Sequence, residues 1–155
     1  RAVPALLRMA AAVEDTDLRL SFEPHMDSAA ERPDQALLLL EAVPGLSLTL
    51  DPAHFTYQGL GRAALAPLME HIAHVQVRQA KRGVLQTPHD EGTINVPELL
   101  EDLHRAGYHG ALCVEYMTTF GWHRMQKISI SRETVRTRDA LRAARARLQP
   151  APRPS

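Results

Sequence analysis

Two periodicities of hydrophobic residues alternate along this chain. Short runs of apolar and β-branched residues, typical of strands, occupy residues 18–24, 46–51, 73–78 and 111–116. Apolar residues recur at helical spacing in five other segments: Ala2–Val13, Gln35–Val43, Ala64–Ile72, Val96–Ala106 and Thr134–Leu148. Because strand and helix alternate without interruption, the pattern predicts an α/β fold with four parallel strands and outer helices.

A polar residue stands near the C-terminal end of each predicted strand. These residues are Glu23, Asp51, Gln76 and Glu115, and successive members are 28, 25 and 39 positions apart. The spacing is close to the roughly 30 residues of a strand-helix unit. Parallel α/β folds bind ligands at the C-terminal ends of their strands, so we expect the four side chains to converge there. The alternative for each residue alone is a surface carboxylate or a cap of the following loop.

The length and composition predict one domain. With 155 residues, 45% of them hydrophobic, the chain can bury one core. Four strand-helix units are half of an eight-stranded barrel, for which about 250 residues are typical. The chain also begins at Arg1 rather than Met, directly in a helical pattern. We therefore expect residues 1–148 to form the C-terminal half of a (β/α)8 TIM barrel from a longer protein, followed by a disordered tail at 149–155.

The charge distribution bears on whether the protein binds a cation or a nucleic acid. The formal net charge is zero, but residues 131–155 carry seven arginines against Glu133 and Asp139, so the remainder of the chain is acidic. An acidic body favours a cation-binding mouth over a nucleic-acid groove. No stretch approaches the 18 or more apolar residues of a membrane span.

The single cysteine, Cys113, excludes an internal disulfide. A lone thiol fits a reducing compartment, so we expect the protein to be cytoplasmic. Because Cys113 lies within a predicted strand, we expect it to be a buried small hydrophobic residue.

Carboxylates that converge at one mouth repel each other, and a bound divalent cation is the natural compensation. Oxygen ligands favour Mg²⁺ or Mn²⁺, whereas a histidine ligand makes Co²⁺ or Zn²⁺ competitive. A metal there can hold adjacent hydroxyl and carbonyl oxygens of a sugar and stabilise an enediolate, while a flanking glutamate moves the proton.

The motifs resemble those of one family, the xylose-isomerase-like TIM barrels, which include sugar phosphate isomerases and epimerases, ketose 3-epimerases, inosose dehydratases and the endonuclease IV group. The matching pieces are FEPH, LDPAH, HVQVRQA, EGTINVPELLEDLHRAGYHG and LCVEY. They span Leu18 to Tyr116 in the family's order and spacing. The resemblance implies a divalent-metal-dependent isomerase or epimerase acting on a sugar or sugar phosphate.

The resemblance also implies roles for individual residues. Glu23, Asp51 and Glu115 match metal ligands, and the two glutamates match the acid and base of the epimerases. The family usually has H-x-H on the next strand, with the second histidine as a ligand, but here Gln76 occupies that position. This departure either weakens the case for a metal or implies an amide-oxygen ligand.

Three further residues are expected to contact the substrate. His54 matches the substrate-contacting histidine of the family's D-x-x-H motif. His25 lies just beyond Glu23 at the same strand mouth. Arg78 lies two residues beyond Gln76 on the same strand face and could meet a phosphate or a carboxylate.

Two other functions remain open alternatives. A non-catalytic relative would bind a sugar without turnover, and the Gln76 departure favours it. An endonuclease IV-like hydrolase would need a richer histidine and aspartate cluster, of which only His89–Glu91 gives a hint. As a half-barrel with two open sheet edges, the chain is expected to bind its missing N-terminal half or to self-associate.

Overall fold

The computed structural model describes residues 2–148, so the tail predicted at 149–155 lies outside the described residues. Its sheet has four parallel strands in consecutive order: β1 (Ser21–Phe22), β2 (Ser47–Leu50), β3 (Ile72–Val77) and β4 (Leu112–Val114). The predicted parallel α/β sheet is confirmed. Three strands are shorter than predicted, most of all β1, which pairs with a neighbour on one side only.

The predicted helical segments are all helical. The helices are α1 (Ala2–Val13), α2 (Pro33–Ala42), α3 (Pro52–Tyr57), α4 (Arg62–Leu65), α5 (Val96–Arg105) and α6 (Ile130–Leu148). Shorter 3₁₀ turns cover Ala66–His71, His89–Glu91 and Trp122–Arg124. The helix expected at 64–72 is divided because Pro67 lacks the N–H that a continuous α-helix needs. None of these helices within residues 2–148 has the length and apolar character needed to cross a bilayer.

Helix α3 was not predicted, because the residues after the DPAH motif were expected to form a loop. The Asp51 carboxylate caps the helix by accepting a hydrogen bond from the Ala53 N–H through Oδ1 (2.9 Å). Pro52 occupies the first turn, where a missing N–H costs nothing. Asp51 is therefore both the cap that starts α3 and a residue of the strand mouth.

The two faces of the sheet differ in chemistry. On one face, Leu48, Leu50, Val75 and Val77 are fully buried. They share one core with apolar residues of the helices, namely Ala36, Leu40, Leu99, Leu103, Leu141 and Ala144. The opposite face carries polar side chains, and there Ser21 Oγ and Thr49 Oγ1 are hydrogen-bonded across β1 and β2 (2.9 Å). The helices thus cover one face, as in a barrel wall.

The expectation of a buried cysteine was wrong. Cys113 pairs in register with Gln76, so it lies on the polar face of the sheet, away from the helix-covered core. Its thiol is consequently exposed. Successive side chains of a strand point to opposite faces of the sheet. Because Leu112 and Val114 face the core, Cys113 between them faces away from it.

An ion-pair cluster joins α4 to α5 on the outer surface. Arg62 donates two hydrogen bonds to Asp102, from Nε to Oδ2 and from Nη2 to Oδ1 (2.6 Å each). Arg105 adds a third, from Nη1 to Oδ1 (2.8 Å). The hydrogen bond from Arg62 and the charges of both arginines hold the pKa of Asp102 below its usual value, against the opposing effect of burial.

We expect Asp102→Asn to lower the free energy of unfolding by about 1 kcal/mol at pH 6, because it removes a bidentate charged contact. The depressed pKa means that this stabilisation exists above the unfolded carboxyl's pKa and disappears as the pH falls through the folded value. Urea denaturation of both proteins from pH 6 to pH 2.5 measures the difference. Asp139→Asn, at an exposed pair on α6, is the control; a pH-independent difference for Asp102→Asn would contradict the prediction.

Candidate active site

The polar residues near the four strand ends lie at the same edge of the parallel sheet. Glu23, Asp51 and Glu115 directly follow β1, β2 and β4, and Gln76 is the second-last residue of β3. Glu23, Asp51 and His54 each present a ligand atom, and these atoms lie within 4.8 Å of one another. Three of the predicted site residues are therefore in direct proximity.

The charges of Asp51, Glu23 and Arg78 also act on Glu115. Burial raises the pKa of Glu115; the Arg78 charge lowers it, and the charges of Asp51 and Glu23 raise it further. The backbone supports this placement, since the Glu115 N–H donates to the Val77 carbonyl (3.0 Å) and continues the β3–β4 ladder. Glu115 therefore follows β4 at the edge of the sheet where Arg78 follows β3.

His54 is fully buried at the centre of the cluster. Its Nδ1 accepts a hydrogen bond from the Met26 N–H (3.2 Å), which leaves the ring proton on Nε2. Nε2 lies 3.4 Å from Glu23 Oε1 and 3.6 Å from Asp51 Oδ2. The imidazole N–H is therefore directed at two carboxylates.

Arg78 is also buried, with 1% of its surface exposed. Its Nη2 lies 2.8 Å from Asp51 Oδ2 and 3.0 Å from His54 Nε2. Both nitrogens carry hydrogens, so the Asp51 carboxylate is the acceptor that they face. Sequence reasoning placed Arg78 on this strand face but gave no sign that its charge would be enclosed.

Several buried polar atoms at the mouth lack a hydrogen-bond partner among the described residues. They include Gln76 Oε1 and the Nε and Nη1 atoms of Arg78. A buried donor or acceptor without a partner costs about 1–3 kcal/mol. A ligand-binding site has unpaired donors and acceptors of this sort, because the ligand supplies the missing partners.

The carboxyl groups of the site differ in acidity. Burial raises the pKa of Glu23, but the hydrogen bond from His54 and the charges of His54, His25 and Arg78 outweigh it, so the pKa lies below the usual value. Burial raises the pKa of Asp51 above its ordinary range, although Arg78 and His54 offset part of the effect. Burial also raises the pKa of Glu115, so Glu23 is the one carboxyl of the three whose pKa is lowered by its environment.

An aromatic wall borders the mouth. The His25 ring lies 4.2 Å from the His54 ring and 5.3 Å from Trp122, with which it stacks at an interplanar angle of 21°. A hydrogen bond between His123 Nε2 and Asp27 Oδ2 (2.7 Å) joins the loop after β1 to the loop after β4. Both partners have positive φ values, 44° and 64°, a strained conformation that is common at ligand sites.

Two buried glutamines, which sequence reasoning missed, brace the loop after β3. Gln79 donates from Nε2 to the Ile94 carbonyl (3.0 Å) and accepts from the Ile94 N–H (3.2 Å). Gln86 forms the same kind of pair with Met117, at 3.0 Å and 2.8 Å. Neither glutamine lies in a periodic segment, so no sequence pattern distinguishes it from a surface residue.

The loop residues His89–Glu91 do not belong to the group formed by Glu23, Asp51 and His54. The His89 N–H donates to Glu133 on α6 (2.8 Å), and its ring contacts Thr137 (3.0 Å). Asp90 pairs with Arg136, and Glu91 with Lys81. These contacts attach the loop to α6 and to Lys81 at the start of the same loop.

The architecture defines a class of protein: half of a (β/α)8 barrel whose carboxylates line the C-terminal mouth of the strands. Residues 1–144 match the family model of the xylose isomerase-like TIM barrel, and the chain belongs to this family. The resemblance drawn from the sequence motifs is thereby confirmed. No curated protein matches the chain in sequence.

Solved structures share the fold at low sequence identity. The D-psicose 3-epimerase of Clostridium cellulolyticum H10, solved with D-tagatose, has a TM-score of 0.71 and 15% identity over 92% of this chain and 55% of its own. The xylose isomerase-like TIM barrel protein of Mycobacterium smegmatis, in complex with magnesium, has a TM-score of 0.72 and 14% identity over 96% and 51%.

A third similar structure is the 3-keto-D-glucoside 4-epimerase of E. coli in its apo form, with a TM-score of 0.66 and 18% identity over 93% of this chain and 52% of its own. At these identities the likeness shows the fold. The chain spans about half the length of these proteins.

We expect Gly92→Ala to destabilise the protein by about 1–3 kcal/mol, because a Cβ at Gly92 would lie 2.0 Å from Gln79 Oε1 and 2.6 Å from its Cβ. The clash would displace the glutamine that holds Ile94. Gly61→Ala is the matched control, since Gly61 has nothing within 4 Å and should lose less than about 1 kcal/mol as a helix cap. Urea denaturation measures the free energy of unfolding of both variants. An equal decrease in the two would show that the close approach of Gly92 to Gln79 does not contribute to stability.

Proposed function

We propose that the chain supplies half of the active site of a divalent-metal-dependent sugar or sugar phosphate isomerase or epimerase. The single observation that carries this proposal is the group formed by Glu23, Asp51 and His54, whose ligand atoms lie within 4.8 Å of one another. Gln76 Oε1, a buried acceptor that has no partner among the described residues, adds support from the neighbouring strand. Membership of the xylose isomerase-like family supports it, as do structural neighbours that are named as sugar epimerases.

The residues present fit a divalent cation. Glu23, Asp51, Gln76 and Glu115 would hold it through four oxygen ligands, a set that favours Mg²⁺ or Mn²⁺ over Zn²⁺ or Co²⁺. The amide oxygen of Gln76 would then take the ligand position where the family usually has a histidine. When bound, such a cation would polarise adjacent hydroxyl and carbonyl oxygens of the sugar.

The two glutamates are assigned opposite roles in proton transfer. Glu23, with its lowered pKa, is ionised and acts as the base that removes the proton from the carbon beside the carbonyl. Glu115, with its raised pKa, holds a proton more readily and returns one to the enediolate. Return to the opposite face of the same carbon inverts it, and return to the neighbouring carbon isomerises the sugar.

The remaining side chains would bind and orient the substrate. The Nε2–H of His54 faces Glu23 and Asp51 in this structure and would turn to a sugar oxygen only if a bound cation occupied those carboxylates. His25 with Trp122 forms a flat wall against which a sugar can lie. Arg78 retains Nε and Nη1 as unused donors for a phosphate or carboxylate.

A second candidate is a non-catalytic sugar-binding relative, which the glutamine in place of the usual histidine favours. An endonuclease IV-like hydrolase lacks comparable support, because His89–Glu91 contacts α6 and its own loop. Metal-dependent turnover separates the first two functions.

In the whole protein, with its N-terminal half present, we expect Glu115→Gln to reduce kcat for ketose epimerisation by about 10²–10⁴, the usual contribution of a general acid or base. Gln76→Leu should weaken Mn²⁺ binding because it removes an oxygen ligand, and chelation should abolish turnover. Steady-state kinetics with and without Mn²⁺, using ketohexoses and their phosphates, measure these effects.

Glu101→Gln, an exposed change on the outer helix α5, is the control and should leave kcat unchanged. Activity indifferent to Mn²⁺ and to Glu115→Gln would rule out the proposed chemistry. Sugar binding without any turnover would favour the binding relative.

The chain is further proposed to complete its barrel with a partner. Strands β1 and β4 are the two ends of the sheet, and the polar face between them is not covered by the helices. Open edges and an uncovered face favour pairing with the missing half-barrel or with a second copy. The proposed compartment remains the cytoplasm, and the free, exposed thiol of Cys113 supports it because such a thiol suits a reducing environment.

We expect the 155-residue chain alone to form dimers or larger species in light scattering after size exclusion, and to unfold with a concentration-dependent Tm. Addition of a separately expressed N-terminal half should convert these species into a complex of one barrel. A monomer with a sharp, concentration-independent transition would contradict this expectation.

A further inference from the structure

The carboxylate cluster contains its own cation. Among the described residues, Arg78 is the sole lysine or arginine in ion-pair contact with Glu23, Asp51 or Glu115. The carboxyl groups of Glu23, Asp51 and Glu115 therefore share one permanently charged guanidinium, which lies against Asp51.

Arg78 is held in this position at an energetic cost. The guanidinium is 1% exposed, and only its Nη2 has a partner, while Nε and Nη1 have none among the described residues. A side chain retained merely for packing would avoid two unsatisfied buried donors. The cost is offset by Asp51, whose buried carboxylate would otherwise have no compensating full charge.

We propose that Arg78 is a resident counter-cation of the site, which neutralises Asp51 in the metal-free protein and, by its own charge, limits how tightly a divalent cation is held. The inference rests on the proposed metal site and adds a determinant of its affinity. Arg78 acts through Asp51 and is a positioning residue.

Two consequences follow from a guanidinium at this distance. Without metal, the pair between Nη2 and Asp51 Oδ2 (2.8 Å) keeps the carboxylate in place, so the mouth does not expand by repulsion. With metal, two positive groups share one carboxylate, and their repulsion weakens binding. The metal is therefore expected to exchange readily with solution.

Arg78→Met tests the proposal, because methionine keeps an unbranched apolar stem and removes the charge. We expect the Kd for Mn²⁺, measured by isothermal titration calorimetry on the chain without substrate, to fall at least about tenfold, since the guanidinium repulsion is removed. In EDTA the variant should melt at least about 5 °C lower than the wild type, because Asp51 loses its counter-charge, and Mn²⁺ should restore the Tm.

Two further variants separate charge from structure. Arg142→Met removes an equally positive but exposed side chain on α6 and should leave both readouts unchanged. Arg78→Lys keeps the charge and should retain the weaker, wild-type Mn²⁺ affinity. Should Arg78→Met not fold, Arg78→Gln takes its place with the same expected tightening.

The outcomes distinguish this inference from the proposed function. Equal or weaker Mn²⁺ binding by the uncharged variant overturns the inference and leaves the metal site standing. Binding by the variant but not by the wild type supports the inference and counts against a metal-dependent wild type. Absence of Mn²⁺ binding from both overturns the inference together with the metal site.

Discussion

The burial of Asp51 is the constraint on which the strand mouth depends. A fully enclosed carboxylate needs compensating partners, and here Oδ1 accepts from the Ala53 N–H while Oδ2 has the positive charge of Arg78 beside it, as an ion pair and not as a hydrogen bond. The first contact starts helix α3, and the second fixes the end of β3. One side chain thus links two strands and a helix at the place where the other polar residues collect.

Helix α3, which Asp51 caps, positions further residues of the mouth. Its one and a half turns bring His54 beneath the carboxylates and Phe55 into the main core, so the chemistry and the packing of the mouth share a single element. The loop after β1 reaches the same histidine through the Met26 N–H. Because each contact fixes the next, the geometry of the mouth is set by the protein itself before any ligand binds, which is the condition for efficient positioning.

Much of the fold could be read from the sequence because its determinants are local. Strand alternation, helical spacing and the polar residue at each strand end give the order of elements and the gathering of Glu23, Asp51 and His54. The chain's own pattern did not reveal α3, since Pro52 signals the end of a strand as well as the start of a helix. The side-chain environments of Cys113 and Arg78 depend on strand register and on partners 24 or more positions away, which local patterns do not encode.

The hydrogen bond between Asp27 and His123 spans 96 positions of sequence and connects the loops of the first and last strands. Closing so large a loop loses much chain entropy, and contacts of this range form after the local ones during folding. We therefore expect the aromatic wall beside this bond to form later in folding than the helices. A ribosome-bound chain from which Trp122 and His123 have not yet emerged would contain the residues of all four strands, but it would lack both the contribution of α6 to the core and the aromatic border of the mouth.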